Sequence, residues 1–280
     1  MVRNVDLGLL TLICAIWAGN YFVVKGALEF VDPITLSFLR ASLGGVLIFA
    51  IGGYALRGMR RSDYLWLALI GLFNVSLFLV LLNVALTTVA PGVASTLVYT
   101  QPVFVAMLSP LIGEKLTVSK IVGILAAFGG VVVVFESSLA SFTPVIGDVY
   151  ALLAAVSWAL STVLFKRSTK HYNSYVVTSV QLLAGSIFIL PAFALGGTYV
   201  TLNLPFLLYL SYNVVLATGF GYVLYFRILS KMPASQFASY LFLVHIFTQF
   251  MASLLSLAVP SWNIILGTAL VAIGIVAANR

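Results

Sequence analysis

The chain has 280 residues, of which 62% are hydrophobic and only 8% charged, and its formal net charge is +7. A soluble domain of this length is about a quarter charged, so a mean hydropathy of +1.15 excludes one and places most of the chain in lipid. The basic residues fall in short gaps between apolar runs, where they set membrane orientation, and nucleic-acid binding is not expected.

The first apolar run, about Val5 to Ala27, follows Arg3 as a signal-peptide core would. It continues past Trp17-Ala18 with no small-x-small cleavage site, so it reads as a retained helix. The only cysteine, Cys14, lies within it and has no partner for an intramolecular disulfide. Further runs follow at about 33–55, 63–86, 91–111, 118–136, 146–166, 173–196, 205–228, 233–258 and 262–279. The gaps are a few residues long and are punctuated by Asp32-Pro33, Ala90-Pro91, Met232-Pro233 and Pro260-Ser261, which leaves no room for a soluble domain. The chain therefore reads as an all-α integral membrane protein with ten transmembrane helices.

The fourth run, entered through Ala90-Pro91-Gly92 and left through Gly113-Glu114-Lys115, carries Ser95, Tyr99, Pro102, Ala106 and Ser109 along one helical side. A small and polar side wants protein or water beside it, not lipid. Pro102 removes a backbone donor near mid-membrane and predicts a bend. Together with Pro91 and Pro233 it is a candidate hinge.

Counting alternate gaps, one side holds Arg3, Arg57, Arg60, Arg61, Lys115, Lys120, Lys166, Arg167, Lys170, Arg227, Lys231 and Arg280, while the other holds only Lys25. By the positive-inside rule both termini are cytoplasmic and the protein is a multi-pass component of the cell membrane. A shift of 141 residues places Trp17 on Trp158, Lys25 on Lys166, Ser37 on Thr178, Arg40 on Gln181 and Gly44 on Gly185. Small further shifts bring Pro91 onto Pro233, and Gly123 and Gly130 onto Gly267 and Gly274. Two five-helix repeats are expected, 1–140 and 141–280; because five is odd, the second enters the membrane in the opposite sense. Inverted halves imply a site between them near the midplane and two conformations open to opposite sides.

The ten-helix count, Leu39-Arg40 followed by small residues, Pro102-Val103-Phe104 and Gly113-Glu114-Lys115-Leu116-Thr117 followed by Gly123 and Gly129-Gly130 resemble the EamA family of the drug/metabolite transporter superfamily. The likeness covers the whole chain, although the second half has Ser256 and residues 257–260 where the first half has Gly-Glu. The resemblance implies a central cavity walled by helices one to four and six to nine and buttressed by helices five and ten. It further implies export or exchange of small metabolites, often amino acids, with an aromatic cavity residue on the sixth helix as in exporters of the YddG type.

The faces of the helices nominate the cavity: Ser37 and Arg40 on the second, Ser95 and Tyr99 on the fourth, Gln181 on the seventh, Tyr222 on the eighth, and His245 and Gln249 on the ninth. For the small hydroxyl residues, ordinary interhelical hydrogen bonding is the competing reading. Trp17 and Trp158 lie too deep for an interfacial belt and are either two cavity walls or plain packing. His245 either titrates and couples transport to protons or is a neutral hydrogen-bonding residue. Arg40 either snorkels outward to Asp32 or Glu29, or faces the cavity and holds a substrate carboxylate.

No Asp or Glu lies mid-helix, and the resemblance makes this an argument against the cation–drug antiport of the small multidrug relatives in the same superfamily, which use an intramembrane glutamate; Arg40 with Lys25 makes too small a cation cluster for a sugar-phosphate carrier. A neutral or zwitterionic ligand with an apolar body remains. No catalytic pair, metal-ligand spacing or nucleophile motif is present, and no cofactor or metal is expected. A transporter working by alternating access is the leading reading; an intramembrane enzyme or an assembly factor is the alternative. In a Cys14→Ser background, a cysteine at Asn203 should react with an impermeant thiol reagent on intact cells while one at Ser62 should not; the reverse labelling would overturn the assigned orientation.

Overall fold

A computed structural model of the chain describes residues 4–53, 59–113, 115, 117–140, 146–169, 171–195, 199–256 and 261–278. Arg3, Arg57, Lys170 and Arg280 of the basic side, Glu114 and Leu116 of the glycine–glutamate motif, and residues 257–260 lie outside the described residues. The apolar runs form helical rods in sequence order. They are α1 (Asn4–Ala27), α2 (Pro33–Ile48, extended by a π turn at Phe49–Gly53), α3 (Arg61–Gly71, a π segment Leu72–Leu77, then Phe78–Thr88), α4 (Pro91–Val98 and Gln101–Leu108, ending in a 3₁₀ turn Ser109–Ile112), and α5 (Val118–Ala140). The second half continues with α6 (Ile146–Ser168), α7 (Ser174–Leu195), α8 (Leu204–Ser211, a π segment Tyr212–Phe220, then Gly221–Leu229), α9 (Ala234–Ser256) and α10 (Trp262–Ala278). Among the described residues, eight helices are long and apolar enough to cross a membrane, and Trp262–Ala277 is a shorter apolar helix. The chain is an all-α, multi-pass membrane protein.

Local chemistry explains where the rods begin and break. Asp32 caps α2 by accepting from the amides of Ile34 and Thr35, and Pro33 starts that helix where no intrahelical amide is needed. Pro91 occupies the same kind of first-turn position in α4, and the Pro233 carbonyl accepts from Phe237 at the start of α9. Inside α4 the helix is interrupted at Tyr99–Thr100, just before Pro102, whose ring cannot donate and would collide with the preceding turn. The Thr100 hydroxyl donates to the Leu97 carbonyl at 2.6 Å, which helps satisfy the opened turn.

Equivalent helices of the two halves meet antiparallel. On α2 and α7, Gly45 lies against Leu183 and Gly52 against Tyr175, so numbering rises on one as it falls on the other. α5 and α10 pack so closely that a methyl added to Gly130 would come within 2.6 Å of the Gly267 carbonyl oxygen, and one on Gly274 within 2.5 Å of the Gly123 carbonyl oxygen. Only glycine allows that approach, which maximises dispersion contact where lipid offers no hydrophobic driving force.

Each end of the bundle is tied across the halves. At one end, residues 30–32 and 199–201 form an isolated antiparallel bridge: Thr201 N donates to Phe30 O at 2.7 Å, and Tyr199 N donates to Asp32 Oδ2 at 3.0 Å. Lys25 Nζ at the same end donates to the Leu86 and Thr87 carbonyls at the C-terminus of α3. At the other end, the Tyr172 hydroxyl donates to Asp63 Oδ2 at 2.5 Å, and Asp63 also accepts from the Arg60 amide. The hydrogen bond to the Asp63 carboxylate raises the Tyr172 phenol above its ordinary value.

Gly130→Ala should lower the detergent melting temperature of the purified protein by an overpacking cost of about 1–3 kcal/mol. Gly129→Ala, whose added methyl meets nothing within 4 Å, should leave it unchanged or slightly raised. Equal losses at both positions would contradict the close α5–α10 contact as the cause.

Candidate functional site

The π segments of α3 and α8 offer hydrogen-bond acceptors to side chains of the other half. In the α8 segment, Ala217 O accepts from Trp17 Nε1 at 2.9 Å and Thr218 Oγ1 accepts from Arg40 Nε at 3.3 Å. In the α3 segment, Phe73 O accepts from the Ser157 hydroxyl at 2.7 Å and Asn74 O accepts from the Tyr222 hydroxyl at 3.3 Å. Each π segment is thus bonded by side chains of the opposite half. Segments of this kind recur at functional sites because they present backbone groups that a regular helix hides.

Beside the α8 segment lies a cavity lined by Trp17, Asn20, Tyr21, Arg40, Phe78, Leu82, Tyr99, Trp158, Ala217 and Tyr222, all of them buried. Its volume is about 30 Å³, on the order of one water. The walls are an aromatic cluster centred on Trp158, whose ring lies 5.6 Å from Trp17, 5.6 Å from Tyr99 and 5.2 Å from Phe78. The first two contacts are edge-to-face, the arrangement the ring quadrupoles favour. Trp17 also meets Tyr222 edge-on at 5.9 Å. Trp158 Nε1 donates to the Tyr225 hydroxyl at 3.2 Å, so both indoles have satisfied N–H groups.

Arg40 enters this apolar space from α2 and is 3% exposed. A second bond runs from Nη1 to Asn83 Oδ1 at 3.4 Å, and Asn83 is held in turn by Nδ2 donation to Ser37 Oγ at 2.8 Å. Both guanidinium contacts are long against the usual 2.7–3.2 Å and use two of five N–H donors. Asp32 is engaged at the start of α2 and with Tyr199 N, and no carboxylate pairs with Arg40 among the described residues. The cation is buried beside neutral partners only.

Of the residues nominated from helical faces, Trp17, Arg40, Tyr99, Trp158 and Tyr222 line this cavity. The other five are engaged elsewhere. Ser37 donates to Pro33 O and supports Asn83. Gln181 Oε1 accepts from Asn74 Nδ2 at 3.0 Å. His245 is fully buried between Ser95 Oγ at 2.9 Å from Nδ1 and Thr268 Oγ1 at 2.9 Å from Nε2, joining α4, α9 and α10. Gln249 Nε2 donates to Gly92 O and Thr96 Oγ1. Asn20, Tyr21, Phe78, Leu82 and Ala217 line the cavity without having been nominated. Asn20 had a signal, a lone amide three residues beyond Trp17 in an apolar helix; the hydrocarbon residues had none that separates a wall from packing.

The EamA-like transporter family model matches residues 7–136 and 145–280. The uncharacterized transporter YvbV of Bacillus subtilis is 30% identical over 240 residues, 84% of this chain and 79% of that protein. An uncharacterized transporter of Archaeoglobus fulgidus is 28% identical over 272 residues, 95% of each. One solved crystal structure superposes with a TM-score of 0.71 at 18% identity, covering 99% of this chain and 97% of the other, a likeness of fold.

Trp158→Phe keeps an aromatic wall but loses the N–H bonded to Tyr225. It should remain monodisperse while changing the half-saturation of flux into proteoliposomes, and Trp158→Ala should abolish that flux or change its selectivity. Unchanged affinity and flux in both variants would assign Trp158 to packing alone.

Proposed function

The chain belongs to the EamA-like transporter family, and we propose that it moves small amphipathic metabolites, amino acids among them, across the cell membrane through the central cavity. The observation that carries this reading is Arg40, a buried cation in an aromatic cavity with no carboxylate partner among the described residues. Burying an arginine in a membrane costs roughly 2.5–3.5 kcal/mol even on insertion scales. A substrate carboxylate would supply the missing charge through two parallel hydrogen bonds. The indole and phenyl faces would take the apolar body.

The mechanism we propose is alternating access between two inverted five-helix repeats, 1–140 and 141–280, with both termini cytoplasmic. Antiparallel packing of equivalent helices supports the inversion, and the ties at the two ends supply contacts that must break in turn. A cavity of about 30 Å³ is far too small for an amino acid, so its walls must part as one end opens. The interruption of α4 before Pro102 and the π segments of α3 and α8 give the cavity-lining helices points at which to flex. Pro91 and Pro233, at helix starts, lie where whole rods can pivot.

The test is counterflow in proteoliposomes with L-phenylalanine and L-phenylalaninamide. Arg40→Gln should weaken the carboxylate by about 30-fold or more, equivalent to about 2 kcal/mol, and change the amide by less than about threefold. Arg40→Lys should retain part of the carboxylate activity as a point charge. Equal loss for both ligands, with a lowered melting temperature, would show that Arg40 serves the fold.

A further inference from the structure

Asn20 lies in the same cavity as Arg40, three residues beyond Trp17 on α1, and is 7% exposed. Its side-chain carbonyl oxygen is buried and has no hydrogen-bond partner. A buried acceptor left unpaired is destabilising, and such groups in native proteins are ordinarily matched by protein, water or a ligand. Nearby acceptors are already used: Ala217 O by Trp17, and Thr218 Oγ1 and Asn83 Oδ1 by Arg40. The cavity of about 30 Å³ therefore has a strong donor array, the Arg40 guanidinium, and an unpartnered amide acceptor, Asn20 Oδ1, in its lining.

We infer that Asn20 is the specificity-determining residue that receives the amino nitrogen of a substrate, so that the cavity selects α-amino acids over carboxylates lacking that nitrogen. This rests on the reading of Arg40 as the carboxylate anchor. The chemistry fits a zwitterion in three respects. Its two charged groups are separated by a single carbon, so a donor and an acceptor facing one small space can take both. An amide is also the right acceptor in a cavity that holds an arginine: it accepts without a charge that would compete with the incoming carboxylate for the guanidinium. Finally, the Trp17 and Tyr21 rings on the same helix line the same space and can add cation–π attraction for an ammonium group.

The test is equilibrium binding of L-phenylalanine and of 3-phenylpropanoate, its analogue without the amino group, to purified protein in detergent by scintillation proximity. The wild type should bind phenylalanine at least about tenfold more tightly. Asn20→Leu should bring the ratio to about one by weakening phenylalanine while leaving 3-phenylpropanoate within about threefold. Asn20→Ser, too short to reach, should act in the same direction and serves if the leucine variant does not fold. A wild-type ratio near one, as expected if the Asn20 oxygen merely binds water, would overturn the inference without any variant. So would a ratio retained in folded Asn20→Leu or Asn20→Ser protein. If phenylalanine is discriminated from phenylalaninamide through Arg40 but not from 3-phenylpropanoate, this inference alone fails; if neither carboxylate binds, the Arg40 reading fails with it.

Discussion

A guanidinium buried in the middle of a membrane bundle is the constraint around which the centre of this protein is arranged. Arg40 cannot lose its charge in a protein and is poorly served by hydrocarbon. The surroundings meet it with dipoles: Thr218 from the α8 π segment, and Asn83 from α3 steadied by Ser37. They do not meet it with a counter-ion among the described residues. Two long hydrogen bonds hold the cation in place without neutralising it, as the proposed carboxylate site requires. A permanent carboxylate partner at this place would stabilise the fold at the expense of recognition.

The frame that presents Arg40 is made by both halves of the chain together. Residues of the first half bond the π segment of α8, and residues of the second half bond the π segment of α3. Any relative movement of the halves must therefore rearrange bonds at the cavity wall itself. The α5–α10 contact, by contrast, is backbone against backbone, as close packing of small residues in a membrane requires. Both ring nitrogens of His245 are engaged by hydroxyls, and it joins α4 and α9 to α10.

Much of the fold was legible in the sequence because lipid enforces a simple rule: every spanning segment must be apolar and internally hydrogen-bonded. The lengths of the runs, the Asp32-Pro33 and Ala90-Pro91 helix starts, and the break ahead of Pro102 all follow from local chemistry. The lining of the cavity was legible in part. Arg40, Trp17 and Trp158 stand out since each is a poor fit to a lipid-facing helix. Gln181, Gln249 and Ser37 look equally distinctive in the sequence, yet they bond to Asn74, Gly92 and Pro33. A helical face gives a direction and does not say what stands there. The π segments add a second obstacle, because an inserted residue rotates everything beyond it relative to a regular 3.6-residue reading. Phe78 and Leu82, just past the α3 segment, were hidden for that reason as well as for their ordinary composition.

The most direct measurement is an experimental structure of the protein with bound L-phenylalanine. The account predicts the carboxylate at about 3 Å from the Arg40 guanidinium, with Trp17 and Trp158 further apart than their present 5.6 Å to admit the side chain. A ligand held away from Arg40, with the guanidinium still resting only on Thr218 and Asn83, would contradict it.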